Sequence, residues 1–370
     1  MAGGELISKK HVTSIIMMFI VGSSVVMGVN SEAQQDSWLS LILAAAGTIP
    51  ILLVYARIIR LNPGKDIFEI LEFLMGKVIG KAVIALMSWY ALHLAAMVLR
   101  NFSEFIQISA MPETPQLPIM ILMILVTAYM ARSGIEALGR WSLATVPLVL
   151  FVVVMTVLLS LNKMHFTHIQ PVMDHPFGQI ASASFTIFTF PFAETVLLLG
   201  VAGAIKKEDS PYKLYVGASL LGALVLLIVL VRNIELLGAP MMGAEYFPSY
   251  VAARVINLGD FLSRIEITIG MNLILAGIVK ISLCLLTATK GVARLFGVND
   301  YRRLVMPMAL MTVALCAIVY KSTMEMFAFL PVYQYYALPF QVAIPLIVWI
   351  LAEVKNRKQK KAAAAVSNNA

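Results

Sequence analysis

Ten stretches, each long enough to cross a membrane as a helix and each free or almost free of charge, recur along the whole chain. They fall at 11–30, 38–56, 82–99, 114–131, 141–162, 176–205, 214–231, 265–289, 304–320 and 326–352. About 20 apolar residues in a helix span about 30 Å of hydrocarbon. The stretches mix Leu, Val, Ile, Met and Ala without alternation, which excludes barrel strands, whose apolar residues repeat at every second position. Only 13% of the 370 residues are charged and 60% are hydrophobic, whereas a soluble domain has about a quarter of its residues charged. An all-helical integral membrane protein with ten transmembrane helices is expected. The first stretch follows two lysines like a secretory signal, but it exceeds the ~7–15 residue apolar core of such signals and is read as a retained helix.

Basic residues set the orientation. With both termini cytoplasmic, most of the 28 Lys and Arg residues fall inside, among them Lys9, Lys10, Arg57, Lys65, Lys206, Lys290, Arg302 and the tail Lys355 to Lys361. Arg100, Lys163, Arg232, Arg254, Arg264 and Lys321 fall at outer ends. This is the positive-inside pattern. It accounts for the net charge of +8 without nucleic-acid binding. The basic tail, 353–370, is read as an anchor, with anionic membrane lipid as the alternative partner. Cys284 and Cys316 lie in different spans and imply no disulfide.

No polar stretch is long enough for a separate soluble module, so one membrane domain over 1–370 is expected. Ten spans divide into 11–162 and 176–352. Five spans per half force the second half to enter from the opposite face, so similarity between the halves would be an inverted repeat. The first span of each half carries a break: GSSVVMG at 22–28 and TFPFAE at 189–194. Pro191 has no amide hydrogen and clashes with the preceding turn. Gly22 and Gly28, flanking Ser23 and Ser24, make unwinding cheap. Freed backbone groups persist in hydrocarbon only where protein, water or a ligand bonds them. Two breaks at matching places point to a midplane binding site. A packed kink and a small-residue helix contact are the plainer readings of each break alone. The outer connection 233–261 is expected to fold into short helices over the bundle, and 65–81 into an amphipathic surface helix.

Glu194 follows Pro191 on the same helix face, where a charge costs about 2.5–3.5 kcal/mol or more unless paired or in a polar cavity. It is read as a ligand-amine or proton partner, a latch, or a structural ion pair. Lys280 lies mid-span in LILAGIVKISLCL, as a fixed cation standing in for a coupling ion or as the partner of Glu194 or a carbonyl. Arg264 and Glu266 are read as interfacial anchors. His165, His168 and His175 with Asp174 match no metal-ligand spacing, and no metal or cofactor is expected. Nucleophile-elbow, phosphate-loop and zinc-helix motifs are absent, so no enzyme activity is expected.

FPFAETVLLL in the sixth span, GDFLSRIE entering the eighth, the following IVKISLCL, and ISKKHVTSIIMMFIVGSSV near the N-terminus resemble the B subunits of spore nutrient-germinant receptors, in the amino acid, polyamine and organocation superfamily. The resemblance implies a five-plus-five inverted repeat with discontinuous helices 1 and 6. It also implies residence in the inner membrane of a spore, partner A and C subunits, and a small germinant, typically an amino acid, held mid-bundle. The first break departs from the tighter glycine-rich turn of many amino-acid transporters. On this reading amides at Gly22, Ser23 and Ser24 hold a ligand carboxylate beside a half-helix dipole. Carbonyls from Thr189 through Phe190 and Pro191 to Phe192 take the ammonium, and Phe190, Phe192 and Met97 shape the side-chain pocket. Two alternatives stay open: a proton-coupled amino acid permease with Glu194 or Lys280 as relay, and a scaffold that only anchors partners.

Overall fold

The computed structural model describes residues 5–27, 33–256 and 265–367, and nearly all of them are helical. The first half runs from α1 (Lys9–Val21) through a short α2 (Ser24–Met27) to α3 (Ser37–Leu61), α4 (Ile67–Ser109), α5 (Gln116–Ser133) and α6 (Ile135–Ser160). The second half opens with α7 (Phe177–Ile187), a π-helical turn over Phe188–Phe192 and tight turns over Ala193–Ala204. It continues through α8 (Pro211–Ala244), α9 (Pro248–Val255), α10 (Glu266–Phe296), α11 (Val305–Val319), α12 (Thr323–Ala328), α13 (Leu330–Leu338) and α14 (Ile344–Ser367). Among the described residues eight helices are long and apolar enough to cross a membrane, and α11 is a shorter apolar one. With α1 and α2 as the halves of a broken helix, these account for ten spans.

Counterparts pack on each other. α3 and α8, the second spans of the two halves, pair, and so do α4 and α10, the third spans, while α1 lies against α6, α8 and α10. This is the arrangement of a five-plus-five inverted repeat with interrupted first and sixth helices. The α4–α10 contact needs small residues: a Cβ at Gly277 would land on the Phe102 ring, and one at Gly291 on Ser88 and Phe68.

Local chemistry sets several boundaries. Asp66 and Glu69 form a reciprocal cap at the start of α4, with Glu69 N–H donating to Asp66 Oδ1 at 3.0 Å and Asp66 N–H to Glu69 Oε2 at 3.3 Å. At Gly76 (φ +77) the chain turns, so 67–75 is a limb separate from the long rod. Over its described part, 233–256, the connection after the seventh span folds as expected into short helices, with a turn at Gly238 inside α8 and α9 packed on α8 and α10. The tenth run, 326–352, differs from a single rod: it is divided into α12, α13, a π-helical turn over Pro339–Ala343, and α14. Pro331 and Pro339 explain this, because neither supplies an amide to the preceding turn.

One end of the bundle gathers the ion pairs Glu5–Arg302 (2.8 Å), Lys9–Asp209 (3.4 Å), Lys290–Asp66 (3.4 Å), Arg294–Glu72 (2.6 Å) and Arg57–Glu353 (2.6 Å). We call it the basic end. Arg100 and Arg232, expected at the opposite boundary, are buried. Arg100 pairs with Glu104 at 2.7 Å, and the Arg232 guanidinium donates to Thr156 and Asn233.

Candidate functional site

The first break lies at Gly22 and Ser23. Gly22 N–H still closes on Met18 O at 2.8 Å, and the helix resumes with Met27 N–H on Ser23 O at 3.0 Å. Between them Gly22 adopts φ 2, ψ −118, away from helical backbone. Ser23 and Ser24 are fully buried, and among the described residues their hydroxyls have no hydrogen-bond partner. Such orphans are uncommon and mark a place where a further group can bond. Beyond the break, Val25 O accepts from Ser249 Oγ of α9 at 2.5 Å, and Ser249 accepts from Asn233 Nδ2 at 2.9 Å.

Phe190 carries the second break, with φ −136 and ψ 112, immediately before Pro191. Side chains serve the carbonyls this opens. Thr189 O accepts from Gln341 Nε2 at 2.9 Å, and the Tyr55 hydroxyl lies between Gln341 O at 2.5 Å and Ala193 O at 3.3 Å. The Thr189 hydroxyl folds back onto Thr186 O at 2.9 Å. These bonds explain how an unwound turn survives in an apolar bundle.

Glu194 and Lys280 meet between the breaks. Lys280 Nζ lies 2.6 Å from Glu194 Oε2, and both side chains are 0% exposed. Of the alternatives for Lys280, the ion pair with Glu194 is therefore formed. Its stem passes so close to Gly22 that a Cβ there would sit 2.9 Å from Lys280 Cδ, which is a second reason for glycine at the break. Its ammonium lies 4.7 Å from the centre of the Phe190 ring and 5.1 Å from that of Phe19. One side chain thus touches both interrupted helices.

The other carboxylate oxygen, Glu194 Oε1, accepts from Tyr333 Oη at 2.6 Å. Tyr333 and Tyr90 hydroxyls are 3.0 Å apart, and Gln341 Nε2 donates to Tyr90 Oη at 2.8 Å. A continuous polar chain runs Lys280, Glu194, Tyr333, Tyr90, Gln341, Thr189 O. Tyr333→Phe removes the donor to Glu194 Oε1 and is expected to cost about 1–3 kcal/mol, measured as a lower thermal midpoint of the purified protein. An unchanged midpoint would show that water replaces the phenol.

Two hollows adjoin this chain. An inner chamber of about 30 Å³ is lined by Met27, Met97, Phe190, Glu194, Phe329 and Tyr333 among others, room for a water molecule or two. A larger cleft of about 210 Å³ is lined by Met27, Thr186, Phe190, Asn233, Glu245, Tyr246, Phe327 and Leu330 among others. Met27, Phe190 and Leu330 line both and so form a partition. Of the side chains expected to shape a pocket, Met97 and Phe190 line the chamber, whereas Phe192 is packed in the core and lines neither hollow. Gly22, Ser23, Thr189 and Pro191 contribute backbone at the breaks and line neither.

Gly28 and residues 257–264, which carry most of the GDFLSRIE motif, lie outside the described residues. The loop histidines serve the backbone and its acids: Asp36 accepts from the amides of Met173 and His175, and His168 Nδ1 lies 3.1 Å from Glu235 O. Sequence reasoning missed Tyr55, Tyr90, Tyr333 and Gln341. Gln341 offered a signal, an uncharged polar residue two positions after Pro339 in an apolar run.

A family described as "Spore germination protein" matches residues 6–326. Spore germination protein KB of Bacillus subtilis (strain 168) is 26% identical over 369 residues, covering 96% of each chain. Among solved structures, MhsT in complex with L-phenylalanine superposes with a TM-score of 0.72 at 14% identity, covering 94% of this chain and 89% of that one. Mhp1, a nucleobase-cation-symport-1 family transporter solved in a closed conformation with bromovinylhydantoin bound, gives 0.69 at 12% identity, covering 94% and 78%. At these identities the likeness shows a shared fold.

Proposed function

Because the chain belongs to the spore germination protein family, we propose that it is the B subunit of a nutrient-germinant receptor, which binds an amino acid between its two broken helices. It does so in the spore's inner membrane with both termini cytoplasmic, and passes the change to A and C subunits. The observation that carries this reading is the Lys280 side chain, which lies against Gly22 of one break and pairs with Glu194 just beyond the other. A ligand that altered either break would be felt by both.

The ligand carboxylate goes to the amides and unpartnered hydroxyls of Ser23 and Ser24, at the start of the half-helix that continues through α2, while Gly22, whose N–H stays on Met18 O, supplies the turn that exposes them. Its ammonium goes to the carbonyls from Thr189 to Phe192. There the Gln341 amide, which donates to Thr189 O, occupies the position of an ammonium donor and is displaced. Lys280 adds a fixed positive charge beside the carboxylate, and Glu194 keeps that charge from repelling the ammonium.

The chamber beside these groups has room for only a water or two, so an amino acid fits only if the partition of Met27, Phe190 and Leu330 moves and joins chamber to cleft. Binding and conformational change are then one event. The ligand shifts the bundle by its difference in affinity for the two arrangements.

A panel of the twenty amino acids tested by thermal stabilisation should identify at least one saturable ligand. Ser23→Ala with Ser24→Ala should weaken that ligand roughly a hundredfold, the loss of two hydrogen bonds to a charged carboxylate. No stabilising amino acid would favour a scaffold role. The buried chain from Lys280 to Gln341 favours a second reading, a proton-coupled amino acid permease with Glu194 or Lys280 as relay. Uptake of labelled ligand into proteoliposomes driven by a pH gradient supports that reading, and binding without uptake supports the receptor.

A further inference from the structure

The basic end contains a hollow unrelated to the breaks. A cleft of about 230 Å³ opens between the end of α3, the first limb of α4 and α14. Asn62, Lys65, Phe73, Lys355, Asn356 and Gln359 contribute to its lining. Two ammonium groups converge on one ring: Lys65 Nζ is 4.0 Å and Lys355 Nζ 3.3 Å from the centre of Phe73. Lys355 also donates to Phe73 O at 2.7 Å.

Two like charges gathered on one phenyl ring repel unless something negative joins them. The neighbouring carboxylates are engaged elsewhere. Glu72 pairs with Arg294 at 2.6 Å, Glu353 with Arg57 at 2.6 Å and Asp66 with Lys290 at 3.4 Å. Among the described residues no acidic side chain lines the cleft. What the lining offers is two cations and the side-chain amides of Asn356 and Gln359, a donor set suited to a phosphate.

We propose that this cleft binds a phosphate group, carried by an anionic phospholipid headgroup or free in solution. The surroundings suit the lipid source. On α14, Val354 precedes Lys355 directly and Ile350 lies about one turn earlier, and both are exposed, as is Phe73. Acyl chains would cover these apolar faces while the headgroup sits between the lysines. Juxtamembrane lysines attract anionic lipid in this manner, each contributing about 1 kcal/mol.

The test is thermal unfolding of the purified full-length protein, titrated separately with phosphatidylglycerol, phosphatidylcholine and inorganic phosphate. Phosphatidylglycerol or inorganic phosphate should raise the midpoint and phosphatidylcholine should not. A response to the lipid alone names a headgroup, and a response to both names phosphate itself. Lys65→Gln with Lys355→Gln should weaken the response roughly tenfold or more, and either change alone roughly fivefold. The single variants carry the test should the pair not fold. Arginine at both positions should preserve the response, and so should Lys358→Gln with Lys360→Gln in the tail beyond the cleft. The proposal is overturned by no response to either anion. It is equally overturned by an undiminished response in the Lys65/Lys355 variants, or by an equal loss in the tail variant, which marks non-specific attraction to the tail.

Discussion

Replacing Lys280 with methionine is expected to destabilise the protein by about 3–5 kcal/mol, because it strands the fully buried Glu194 carboxylate without a counter-charge. Glu194→Gln alone is expected to leave Lys280 equally unaccompanied. The double variant should recover most of the loss, since a neutral pair of similar volume avoids the desolvation of both ions. Unfolding of the four proteins in detergent gives the cycle. Additive losses would mean that the 2.6 Å contact is not the interaction that matters. Tyr333 sharpens the comparison: its hydroxyl donates to Glu194 Oε1 in the parent and can do the same for a glutamine carbonyl.

Gly277→Ala is expected to cost about 1–3 kcal/mol by overpacking. The added methyl would land on the Phe102 ring, so α10 must move away from α4. Lys280 lies less than one turn further along α10, and the shift would draw its ammonium from Glu194 as well. Phe102→Ala should relieve the clash: combined with Gly277→Ala, it should cost less than the two changes add up to. A strictly additive pair in thermal unfolding would show that the helices do not meet through these residues. Ligand affinity measured on Gly277→Ala should fall together with stability if the helix contact positions the site.

The spans were legible because hydrocarbon imposes a local rule, a run of apolar residues of sufficient length. The breaks were legible for a related reason: Pro191 and Gly22 act on the backbone where they stand. Glu194 and Lys280 were conspicuous as charges in apolar runs, yet pairing between the sixth and eighth spans is tertiary, and the sequence left the partner of Lys280 open. Tyr55, Tyr90 and Tyr333 carried no signal, since a tyrosine in a membrane helix serves equally as apolar bulk or as an interfacial anchor. Only the neighbours identify these three as donors. Arg100 and Glu104 stand four apart on α4, a spacing that predicts their contact, but nothing local predicts that the pair is buried.

The ion pairs that tie the N-terminal segment, α10 and the loops together at the basic end are all at least partly exposed. The Glu194–Lys280 contact is sealed. Dissolved ions screen exposed charges over about 8 Å at physiological ionic strength and reach sealed ones far less. The two sets of contacts therefore answer to different conditions: rising salt loosens the ion pairs at the basic end and leaves the central clasp shut.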